Sequence, residues 1–395
     1  MLLIKDCKIL QDNKEIICDI LIKDSKIAKI GHDIDYKGDI IDAGKKYVLP
    51  GIIDPHVHFR EPGLTQKEDF LTGSKAAAAG GITTVLDMPN TIPPITTIEL
   101  LKEKRELAKK SIVNYGFHFA GASDNIEEIK KVKNIASVKV FMNISTGKLM
   151  IKDDKALKQI FSNSKLVAVH AEGEMVEKAI KLTKECGNKL YLCHISAREE
   201  LDYIRENKTK DIFVEVTPHH LFLSDQDDKD SFTKMKPELK SVLDNEALFE
   251  AIKEGLVDTI GSDHAPHTVG EKFGTEILYG VPGCETLLPL LLNAVNEKKL
   301  TMQKLIELCC HKPAKIFKIK NKGYIKEGFD ANLTIVDMNL EKEVDENMLF
   351  TKCSWSPFNG WLLRGWPVMT IVNGNVVFKD GKIIDKCNGR EVEFQ

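Results

Sequence analysis

The chain has no Cys-x-x-Cys pair, no apolar run approaching the roughly 18 residues that span a bilayer, and no surplus of one charge sign. Its nine cysteines are odd in number and scattered. In a chain this long they read as reduced, mostly buried thiols of a cytoplasmic protein. The adjacent Cys309 and Cys310 sit in the helical stretch "KLIELCCHK" and read as packing residues. A net charge of −3 with both signs interspersed favours neither nucleic acid nor an anionic membrane as partner. The opening "MLLIKDCKIL" meets Lys and Asp too early for the apolar region of a signal peptide. No low-complexity segment, short repeat or Gly-rich phosphate loop of a standard kind is present.

What is present divides into ends and middle. Residues 1–48 read as short strands with tight turns, and residues 328–395 resume that style. "VNGNVVFKDGKI" carries Asn-Gly and Asp-Gly between alternating apolar residues, the signal of hairpins. The simplest reading is one small β-sandwich domain built from both ends. Residues 49–327 alternate strand and helix. Eight apolar segments, "YVLPGIIDPHVHF", "GITTVLDMPN", "IVNYGFHFAG", "ASVKVFMN", "KLVAVHAE", "KLYLCHIS", "DIFVEVTPHH" and "DTIGSDHAP", match a (β/α)8 barrel in number and length. A doubly wound open sheet is the alternative, without a phosphate loop to support it.

In nearly every segment the polar residues come last. Barrel active sites lie at the C-terminal ends of the strands, so these side chains converge on one mouth. His56 and His58 share a strand face by period two. Segment four adds Lys139, segment five His170, segment six His194 and segment eight Asp263. Any one of these histidines alone reads as a hydrogen-bonded structural residue. Six ligand-type residues from five strands read as a metal site. Lys139 has two readings. It is a surface-facing lysine, or it lies inside, where CO₂ adds to the neutral amine and the carbamate bridges two ions. In the second reading His56, His58 and Asp263 take one ion, and His170 and His194 the other. Imidazole and carboxylate ligands favour Zn²⁺, with cobalt or manganese able to replace it. Such a site lowers the pKa of a bridging water and polarises a carbonyl, and Asp263 carries the proton to a leaving nitrogen.

These residues resemble the amidohydrolase superfamily, and within it the dihydroorotases. The resemblance runs from "LPGIIDPHVHFREPG" through "DMPNT", "VAVHAE", "CHIS", "EVTPHHL" and "GSDHAPHT" to "GCETLLPLLL" and "HKPAKIF". "HVH" is shared by hydantoinases and allantoinases; "HFREPG", "MPNT" and "SDHAPHT" together are more specific. The resemblance implies reversible ring closure of N-carbamoyl-L-aspartate to dihydroorotate in pyrimidine synthesis. Its metal ligands fall on His56, His58, His170, His194 and Asp263, and its lysine carbamate on Lys139. Its substrate-carboxylate contacts fall on Arg60, Asn90 and His267, and backbone contacts to the pyrimidine ring near Tyr279 and Gly280. Lys236, in "MKPELKS", stands where many relatives have Asn, and either contacts substrate or lines the mouth. "FMNISTGKLM", with Gly147, resembles the family's mobile loop over substrate. His219 and His220 read as structural or as supports behind the ligands; His32, His118 and His311 are given no role.

Allantoinase and hydantoinase would share every metal ligand. Arg60, Asn90 and His267 favour a substrate with a free carboxylate, which hydantoin lacks. A non-catalytic relative that binds a partner such as aspartate transcarbamoylase would have lost ligands, and none is missing here. The sequence identifies no interface; a homodimer and an assembly with aspartate transcarbamoylase both fit the resemblance.

Overall fold

Leu2–Gln11 and Lys14–Lys23 pair as antiparallel strands, and their inward residues Ile4, Cys7, Ile9, Cys18, Ile20 and Ile22 form one apolar cluster. Asn373 and Gly374 have φ of 49° and 80°, and Asp380 and Gly381 have 46° and 77°. Both central residues at positive φ make the two-residue hairpin turns whose twist matches that of the strands. The fold comes from a computed structural model describing residues 1–12, 14–144, 149–384 and 388–395. Gly147 and its neighbours in the loop after Lys139, residues 145–148, lie outside the described residues.

Nine strands from the two ends of the chain form one connected sheet, the β-sandwich domain. The ends meet where Tyr47–Pro50 runs antiparallel to Leu333–Glu343, with Leu49 opposite Thr334. The stretch "YVLPGIIDPHVHF", read above as one strand, is therefore two. Pro50 ends the sheet strand, and a Cβ on Gly51 would collide with the Thr83 side chain. Ile52–Val57 then starts the barrel.

The other seven barrel strands are Ile82–Asp87, Asn114–Phe117 continued by Phe119–Ala120, Val138–Phe141, Leu166–His170, Lys189–Leu192, Ile212–Val216 and Thr259–Ile260. All pair in parallel. The ring closes where His264, after the eighth strand, bridges Val57 of the first. His118 interrupts the third strand, with its ring between Ser137 Oγ and Pro55 O.

Burial follows period two. Val138, Val140, Val167, Val169, Leu190 and Leu192 face the helices in the main core. Ile53, Leu86, Ala168, Tyr191 and Cys193 lie in a second cluster with Phe317, Ile319, Val392 and Phe394, which closes the barrel floor. Residues 328–395 thus do not all serve the sheet. Glu391 bridges Tyr115, and Trp355 donates to His267 O at 2.7 Å beside the mouth. Cys309 and Cys310 are buried, in a π-helical turn. Among the described residues no helix is long and apolar enough to cross a membrane.

Candidate metal centre

The ends of the first and eighth strands bring three groups together. Asp263 Oδ1 lies 3.2 Å from His56 Nε2 and 3.0 Å from His58 Nε2. Opposite them, His170 Nδ1 and His194 Nε2 face one another at 2.9 Å. The His56 and His194 rings are 5.4 Å apart, and ligand atoms of His56, His194 and Asp263 all fall within 4.8 Å of one another. All five residues are buried. Burial above all, with Arg60 and His56 adding, pushes His58 down to about 3. His170 and His194 are lowered by burial as well. Their lone pairs are therefore open, the form in which imidazole binds metal. Burial opposes ionisation of Asp263, but the neighbouring histidines hold it well below the usual carboxylate range. Among the described residues His194 Nδ1 has no hydrogen-bond partner, and the carboxylate paired with His170 Nε2 is Glu172, with Oε1 at 3.5 Å. His56 goes the other way: burial opposes its charge, but Glu215 and Asp263 hold it well above the usual imidazole range. Buried imidazoles, three of them held neutral, around a carboxylate are costly alone and fit a divalent cation.

The backbone is bent to make this set. Arg60, His194 and Asp263 have φ of 64°, 37° and 46°, a left-handed region that non-glycine residues seldom occupy. Strain of this kind gathers at functional sites.

Glu215, on the seventh strand, was not singled out from the sequence. It is fully buried, with Oε1 accepting from His56 Nδ1 at 2.7 Å and from His194 N at 3.0 Å. Its Oε2 accepts from the Tyr191 hydroxyl at 2.7 Å. A carboxylate on Nδ1 fixes the proton there and aims the Nε2 lone pair at the centre. Its one visible signal was a charge inside an apolar strand, "IFVEV". Asn90 Oδ1 does the same for His58 Nδ1 at 2.6 Å. Asn90, expected against a substrate carboxylate, thus has its oxygen on a ligand and its Nδ2 left to donate. We expect Glu215→Gln to weaken divalent-metal binding roughly 10-fold or more, read by competition with a chelator; unchanged affinity would remove Glu215 from this role.

Lys139 is 1% exposed and in register with Ala168, whose side chain lines the barrel interior. Its Nζ is 3.0 Å from Cys193 Sγ and 5.2 Å from the Phe141 ring centre. The surface-facing reading is thereby excluded. Among the described residues no carboxylate pairs with this amine.

Around the mouth, Arg60 is buried, its Nε donating to Pro266 O at 3.0 Å. His267 is also buried, and both its ring nitrogens are engaged within the protein. The backbone expected to meet a pyrimidine ring is engaged too. Tyr279 O faces His267, Gly280 N donates to Lys234 O at 3.0 Å, and Gly280 O accepts from Lys272 at 3.1 Å. Lys236 pairs with Glu238 at 2.6 Å and lies over the Tyr279 ring. His220 is held between Thr217 Oγ1 and Pro237 O, while the His219 ring lies tilted beside it, its Nε2 without a hydrogen-bond partner among the described residues. His311 stacks on Tyr324.

Residues 47–377 match the amidohydrolase family. A dihydroorotase of Methanosarcina mazei is 38% identical over an alignment of 434 positions, covering 96% of this chain and 94% of that protein. A dihydroorotase of Pyrococcus furiosus is 38% identical over 406 residues, covering 98% and 94%. Among solved structures, an L-hydantoinase (dihydropyrimidinase) from Arthrobacter aurescens superposes with a TM-score of 0.93 at 30% identity, covering 99% of each chain. Matched over most of its length, the chain belongs to the amidohydrolase family, on the dihydroorotase side of its cyclic amide hydrolases.

Proposed function

We propose that this enzyme is a dihydroorotase, closing N-carbamoyl-L-aspartate to dihydroorotate and reopening it in pyrimidine biosynthesis. The observation that carries the reading is the buried Arg60 guanidinium two residues beyond His58, on the same strand end as the histidine and aspartate cluster. A cyclic amide with a free carboxylate fits that pairing; an uncharged hydantoin leaves Arg60 unused.

His56, His58, His170, His194, Asp263 and a carboxylated Lys139 would hold two Zn²⁺ ions, the lysine formed by joining Nζ to CO₂ with loss of one proton. Bound there, the ions supply an acidified water and polarise the ring carbonyl. Asp263 takes the proton from the attacking oxygen as the C–O bond forms, and delivers it to the ring nitrogen as the C–N bond breaks. Ring closure retraces these transfers. Arg60 forks onto the substrate carboxylate, and Asn90 Nδ2 adds a donor.

The test is Arg60→Lys. An ammonium cannot reproduce a paired contact, so dihydroorotate and carbamoyl-aspartate should bind more weakly by about 2 kcal/mol. Zinc content should not change. Untouched dihydroorotate kinetics, or a wild-type preference for hydantoin, would move the enzyme to the hydantoinase reading.

A further inference from the structure

Three basic side chains, Arg60, Lys67 and Lys272, are buried beside one imidazole, His267. Burial first, then Arg60 and Lys67, hold that imidazole far below its usual range, so it is neutral. A neutral ring has one N–H and one lone pair. Three groups compete for them. Lys67 Nζ lies 3.0 Å from Nδ1. Tyr279 O lies 3.0 Å from Nε2, and an Arg60 terminal nitrogen 3.2 Å from the same atom. A carbonyl only accepts and an ammonium only donates. One tautomer satisfies both: the lone pair on Nδ1 takes Lys67, and Nε2–H donates to Tyr279 O. Arg60 then faces an N–H, which cannot accept from it. Its Nε remains on Pro266 O, and its terminal donors have no partner among the described residues.

We propose that Lys67 is a positioning residue: by donating to His267 Nδ1 it keeps the imidazole proton on Nε2, and so keeps the Arg60 guanidinium unpaired for the substrate's carboxylate. Lys67 itself is oriented by Glu271 at 3.3 Å. Without it, the opposite tautomer gains a charge-assisted bond from Arg60 to Nε2, and the guanidinium is drawn onto His267. This inference rests on the dihydroorotase reading for the identity of the carboxylate, not for the tautomer.

The experiment is Lys67→Met, with Lys67→Arg as the variant that still donates. In ¹⁵N-histidine-labelled protein, wild-type His267 should show protonated Nε2, and Lys67→Met should shift it toward protonated Nδ1. KM for dihydroorotate should rise at least 10-fold with kcat within about twofold, and Lys67→Arg should restore most of the loss. Wild-type His267 protonated on Nδ1 overturns the proposal without any variant, as does a Lys67→Met enzyme with native KM. A lysine that merely supported the fold would lower Tm and kcat without moving the tautomer. If wild type fails to turn over dihydroorotate, the proposed function falls, and the tautomer measurement still decides the role of Lys67.

Discussion

Asp263→Asn should lower dihydroorotate turnover by at least roughly 10²–10⁴-fold, the range for loss of a general acid–base group. The native carboxylate is ionised, with Oδ1 against both His56 Nε2 and His58 Nε2. Asparagine offers an oxygen in the same place but cannot accept the attacking water's proton. It also removes the negative charge that would balance a cation, so metal affinity should fall too. The fold should survive. Asp263 sits at φ 46°, and Asn tolerates the left-handed region as readily as Asp does. Steady-state rates alongside zinc content and Tm check this. Activity within about tenfold of wild type, with zinc retained, would end the role assigned to Asp263.

Lys139→Ala should remove metal and activity together. The native amine is enclosed beside Cys193 and Phe141, with no carboxylate partner among the described residues. An ammonium held there would be costly, and a carbamate on two cations would not. If the proposed carbamate is the ions' shared ligand, alanine removes it, so metal per chain should drop and turnover should fall by orders of magnitude. Formate or acetate should restore part of both by occupying the space the carbamate leaves. ¹³CO₂ should label the wild type with a carbamate resonance that the variant lacks. Full zinc and full activity in Lys139→Ala, or an unlabelled active wild type, would dispose of the carbamate.

Much of this was legible because barrel strands put chemistry at their ends. An apolar run that stops on "HVH", "VAVH" or "LCH" carries both the strand and its mouth-facing residue in a few letters. Glu215 was not legible, because it lies inside its strand and its partners, His56, Tyr191 and His194, come from two other strands. Lys67 was hidden differently. In "LTQKED" it reads as one more solvated charge, and only the chain path toward His267 makes it a buried donor. Alternation could not say which side of the fourth strand Lys139 takes; packing of Val138 and Val140 against helices decides it. Nor could local pattern place Trp355 against the mouth or Phe394 in the floor, since both contacts join distant stretches of chain.

The pairing of Tyr47–Pro50 with Leu333–Glu343 has a consequence for biosynthesis. During translation the edge formed by Tyr47–Pro50 emerges early, and its partner emerges only after the whole barrel has been made. Until then it presents unpaired backbone donors and acceptors, the template on which strands of other chains add. Non-local pairings of this kind form slowly, because long loops must close before the contacts reward them. A nascent chain stalled before Leu333 would carry every metal-binding side chain yet have an open sheet edge. Such fragments should be aggregation-prone and early clients of chaperones.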